Sequence, residues 1–130
     1  MAETVTSPRW RSVLGVVGGT LITLSSGAHS LLGWPNVRQE LTSAGVGGDL
    51  LFGMQAGWQF GGAAMLIIGV TLVVLFARRV RGAATPTFPG LITGVGYLAF
   101  GLWALLAHGF NPFFFVFIVP ALLLLVASTG

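Results

Sequence analysis

The sequence predicts an all-α integral membrane protein: an antiparallel four-helix transmembrane bundle with both termini on the cytoplasmic side. Three observations carry this expectation. Only 7% of the 130 residues are charged and 55% are hydrophobic, with a mean hydropathy of +0.92, which a soluble domain does not tolerate. Four long apolar segments are separated by polar or by proline- and glycine-rich connections. All six basic residues are arginines, and five of them fall in segments that an even number of crossings places on one side. Short arginine-rich loops stay on the side where the chain is made, so Arg9, Arg11, Arg78, Arg79 and Arg81 set the topology. The expected location is a bacterial-type inner (cytoplasmic) membrane, with the whole chain forming a single transmembrane domain.

The first span is expected over about residues 10–33. Ser7 can cap it and Pro8 suits a first helical position. Trp10 and Trp34 then lie roughly 36 Å apart along a helix, one in each interfacial belt. A cleavable signal peptide competes for this segment, because Ser26-Gly27-Ala28 resembles a small-residue cleavage site; we expect the segment to be retained as a span. Residues 35–49 form the outer loop, where Val37, Leu41 and Ala44 share a helical face and predict a short interfacial helix ended by Gly45 to Gly48. Asp49 is placed to cap the second span, residues 50–77, which holds no charge and runs into the Arg78 to Arg81 turn. The cytoplasmic loop 78–88 is followed by a third span over 89–110. Asn111-Pro112 starts a fourth over 112–128, with a kink expected at Pro120.

Small residues form seams along three spans, recurring roughly every 3.5 positions in the first and third. The first carries Gly15, Gly19, Ile22, Ser26, His29 and Gly33; the third Gly90, Gly94, Tyr97, Gly101, Ala104 and His108; the second Gly53, Gly57, Gly61 and Gly69. Lipid tails are as apolar as leucine, so helices in a bilayer associate through close backbone approach along such seams. Both histidines lie on seams near the outer helix ends, and Gln55 and Gln59 fall one turn apart in the outer third of the second span. Polar groups in hydrocarbon must find partners. His29, His108, Gln55, Gln59 and Ser26 therefore form the candidate ligand site. Its plainer alternatives are interfacial histidines, glutamines that join helices, and glycines that only pack. The phenylalanines at 113, 114, 115 and 117 cover most of a helix circumference and read as a lipid or partner surface.

The chemistry open to such a site is limited. The chain lacks cysteine, which excludes disulfides and thiolate catalysis. Beyond Arg11 at the water boundary of the first, none of the spans holds an Asp, Glu, Lys or Arg. The four-helix small multidrug resistance transporters, which the chain resembles only in size, need an acidic residue in the first span, and there is none here. Phosphate-binding loops, zinc-binding helix motifs and a serine nucleophile elbow are missing as well. Acid–base catalysis would fall to two histidines alone. We therefore expect a non-catalytic accessory or small-ligand-binding subunit of a membrane complex, with the lipid bilayer and a homo-oligomer or larger complex as partners and no nucleic acid. The alternative is electron transfer. His29 and His108 would then be axial ligands of haem b, or single ligands of bacteriochlorophyll, or would join the glutamines around a quinone. A small oligomeric carrier of hydrophobic solutes is the third expectation.

Overall fold

The computed structural model describes residues 8–129, and 86% of the chain is helical, with no strand among the described residues. Helix α1 covers Arg9–Gly27, a π-helical segment Ala28–Gly33, α2 Trp34–Ser43, α3 Gly48–Val80 and α4 Phe88–Ala107; a 3₁₀ turn, Pro112–Phe114, leads into α5, Phe115–Ser128. Three of these stretches, Arg9–Ser43, Gly48–Val80 and Phe88–Ala107, are long and apolar enough to cross a membrane. The fourth apolar stretch, Pro112–Ser128, is shorter. Large apolar side chains such as Leu24, Phe60, Ile67 and Leu106 are left exposed on the outside of the bundle, as hydrocarbon-facing surfaces require.

The first helix does not stop at Trp34-Pro35. It continues through one widened turn into α2, so the short helix expected in residues 35–49 is present but joined to the span. Proline cannot donate to the carbonyl four residues back, and its ring crowds that carbonyl. The preceding π turn shifts the ladder by one residue instead, and the Trp34 amide bonds to the His29 carbonyl, five positions back. The helix ends at Ala44. Gly45, at φ 82°, turns the chain, and the Val46 amide closes on the Leu41 carbonyl at 2.9 Å. Gly82, at φ 90°, repeats this arrangement after α3, with Ala83 bonded to Arg78.

Helix ends differ from expectation in small ways. Asp49 lies inside the first turn of α3 and does not cap it; Gly47 holds the cap position. There the carboxylate faces the positive end of the helix dipole, as Arg78 and Arg79 face the negative end in the last turn. Pro8 precedes α1 at the cap position, and Ser7 lies outside the described residues. Asn111 does cap, its side-chain oxygen accepting from the Phe113 amide at 3.0 Å. Pro120 sits within α5, fully buried.

Packing follows the glycines. Helices α1 and α3 run antiparallel in close register: Gly15 lies against Phe76, Gly19 against Leu72 and Val73, Gly69 against Thr23, Gly62 against Ser30, and Gly33 against Trp58. A β-carbon at Gly19 would stand 2.9 Å from the Val73 nitrogen, so backbone meets backbone with no room for a side chain. Helices α4 and α5 pair similarly, Gly90 on Ser128, Gly94 on Leu125 and Gly101 on Ile118. Gly18 brings α1 onto α5 at Leu124 and Pro120. Helices α3 and α4, although consecutive, scarcely touch; α1 and α5 lie between them. One end of the bundle is filled by Ile22, Leu72, Phe76, Leu124 and Ala127. The seam expected along α3 is only half used, because Gly53 and Gly57 face open space.

Candidate functional site

The other end is not filled. Where the π turn carries the chain from α1 toward α2, a cavity of about 680 Å³ opens between the end of α1, the middle of α3, α4 and the start of α5. That is within the usual size range of small-molecule sites. Six of its fifteen lining residues are aromatic: Trp58, Tyr97, Phe100, Phe113, Phe114 and Phe117. Phe100 and Phe117 meet edge to face at 4.9 Å, and Tyr97 lies 5.8 Å from Phe117. Leu32 and Phe113 belong to the wall and are exposed, so the cavity reaches the outer surface of the bundle. The few polar side chains in the wall are Ser25, His29, Asn36 and Tyr97.

His29 is fixed more firmly than its place near a helix end implied. Its ring stacks on Trp58 with centroids 4.3 Å apart and planes 2° from parallel. The Trp58 indole N–H donates to the His29 carbonyl at 2.8 Å, while His29 Nε2 bonds to the Trp58 carbonyl at 3.1 Å. Each residue thus binds the other's backbone. A carbonyl only accepts, so Nε2 carries the proton and, in the neutral ring, Nδ1 is the bare acceptor. The His29 carbonyl serves both the Trp58 indole and the Trp34 amide, using both lone pairs. This clamp explains how a π turn persists inside a long helix. Gly33 gives it room, since a β-carbon there would stand 3.0 Å from the Trp58 ring, whereas one at Gly61 would make ordinary contact with His29 Nε2 at 3.5 Å.

The remaining residues expected at the site take other places. Gln59 reaches the Ser30 carbonyl at 3.5 Å and helps join α3 to α1. Ser26 is buried and donates to the Thr23 carbonyl at 2.6 Å, within its own helix. Gln55 is half-buried one turn from Gln59. His108 caps α4, exposed, with its ring 5.4 Å from Phe114. None of these four lines the cavity. Among the described residues, no group of three or more His, Asp or Glu side chains is arranged to hold a metal ion.

Phe113, Phe114 and Phe117, which read as a lipid or partner surface, also wall the cavity, Phe113 while remaining exposed. A second concavity, about 710 Å³, lies along the polar face of α2 between Asn36 and Ala44; it has a single helix for a wall. Compared with known proteins, the chain matches no family model, no curated protein and no solved structure.

Proposed function

We propose that this chain is a non-catalytic membrane protein that binds one small apolar molecule drawn from the bilayer, serving as the ligand-binding subunit of a bacterial-type inner-membrane complex. In this reading the polypeptide crosses four times, α5 included, with the arginines of the α3–α4 turn and both termini in the cytoplasm. The observation that carries the proposal is the aromatic cavity with His29 clamped in its wall. A bundle built only for packing would close its glycine seams along their full length, as the opposite end does around Phe76. Here a histidine is held immobile beside open volume, which is what preorganised binding needs.

The haem alternative draws little from this geometry. His108 is outside the wall, so the two imidazoles that bis-histidine ligation requires do not face one cavity. The test is purification into lipid nanodiscs, followed by solvent extraction, mass spectrometry and an absorption spectrum. A lipophilic molecule enriched over bulk lipid, and lost when Ala28 in the cavity wall is enlarged to Trp, supports the proposal. No enriched molecule and no ligand-dependent thermal shift would reject it, and a Soret band would replace it with the haem reading.

A further inference from the structure

Resting on the ligand-binding reading above, we infer that the cavity selects a planar ring bearing a hydroxyl, a membrane-soluble phenol or quinol, over the corresponding carbonyl compound. The selectivity arises from the tautomer of His29. Its Nε2 lies 3.1 Å from the Trp58 carbonyl oxygen, and the ring cannot turn away without losing both that bond and the 4.3 Å stack on Trp58. The opposite tautomer would set a nitrogen lone pair against a carbonyl lone pair at that distance. Nδ1 is therefore kept unprotonated in the neutral ring, in a residue that lines the cavity. It is not a buried orphan either: among the described residues the buried side-chain polar atoms without a partner are Arg11 Nε and Ser128 Oγ. It is an accessible acceptor.

An acceptor in an apolar wall rewards a donor and penalises a second acceptor, because the mismatched pair is desolvated and left unbonded. A ligand O–H completes the His29 chain of bonds, whereas a quinone oxygen in the same position meets only a lone pair. The Tyr97 and Ser25 hydroxyls in the wall can either donate or accept, so they serve both ligand forms and leave the choice to His29. The ring preference comes from the walls, where Phe114 and Phe117 offer faces and edges to an aromatic guest. The exposed rim at Leu32 and Phe113 lets an alkyl tail run out into lipid. No electron transfer is involved; the oxidised and reduced compounds are simply different hydrogen-bonding partners.

The experiment titrates nanodisc-embedded protein with decylubiquinone and, separately, with the same compound held reduced, following heat of binding and thermal stability. The quinol should bind about tenfold more tightly, the worth of one hydrogen bond made against one missed. In His29→Phe, which keeps an aromatic ring against Trp58, the quinol should fall to the affinity of the quinone while quinone binding is retained. Equal affinities in the wild-type protein, or tighter quinone, would overturn the inference and leave the ligand-binding reading standing. Absence of binding by either form would overturn the inference, and, together with no co-purified lipophile, the ligand-binding reading as well. The wild-type comparison decides the matter even if the variant does not fold.

Discussion

His29 and Trp58 exchange bonds through their main chains: the indole N–H of one and the imidazole N–H of the other each end on the partner's carbonyl, with the two rings stacked between. The pair joins α3 to the π turn that follows α1, where the helical ladder is shifted. Trp58→Phe preserves the ring contact and deletes one of the two bonds. It should cost about 1 kcal/mol, the level of interhelical hydrogen bonds in membranes, seen as a lowered midpoint of thermal unfolding in detergent. An unchanged midpoint would mean the clamp does not hold the π turn.

Glycines on the same helix should separate into two classes. Gly69→Val puts a β-carbon 2.7 Å from the Thr23 nitrogen and should break the α1–α3 contact, losing the folded protein on size exclusion. Gly57→Ala meets nothing within 4 Å and trades glycine for a better helix former, so it should be neutral or stabilising by up to about 1 kcal/mol. A destabilised Gly57→Ala would reveal a contact made by that face in an assembly.

Phe110 adopts φ 61°, the only positive value among the described residues that are not glycine, directly after Gly109 at 63°. The left-handed region costs a side-chain-bearing residue roughly 1–2 kcal/mol. Phe110→Gly should therefore raise stability by about 1 kcal/mol in detergent, where the exposed ring makes few contacts. A loss in nanodiscs but not in detergent would show the ring anchoring the turn at the lipid interface.

Tyr97→Phe removes one hydroxyl from the cavity wall while preserving ring packing on Phe117. Binding of a hydroxylated ligand should weaken roughly three- to tenfold with little change in thermal stability. Parallel loss of stability would indicate that the hydroxyl serves the fold.

The chain has no cysteine, so single cysteines at Ala83 and Val46 report sidedness cleanly. In intact cells a membrane-impermeant maleimide should label position 46 and spare position 83. The reverse pattern would invert the proposed topology.

Much of this protein is written locally. An uncharged run such as Leu50 to Ala77 has to be helical in a bilayer, since each backbone group must be satisfied within its own segment, and no tertiary contact is needed to say so. Likewise Gly45 and Gly82 end helices, Asn111 starts one, and Gly15, Gly19, Gly90 and Gly94 mark where helices approach. Periodicity cannot say which partner each seam meets, nor whether a seam is used at all; Gly53 and Gly57 repeat the spacing of Gly15 and Gly19 and face open space.

The site depended on the packed structure for a physical reason. Whether an imidazole is a loose interfacial group or a clamped acceptor turns on a carbonyl 29 positions away and on a one-residue shift in a helical ladder. Neither has a signature in residue type or spacing. Tertiary packing alone placed the aromatics of α4 and α5 around His29 and left His108 outside, because helices held by backbone contact leave their unfilled volume wherever the larger side chains fail to meet.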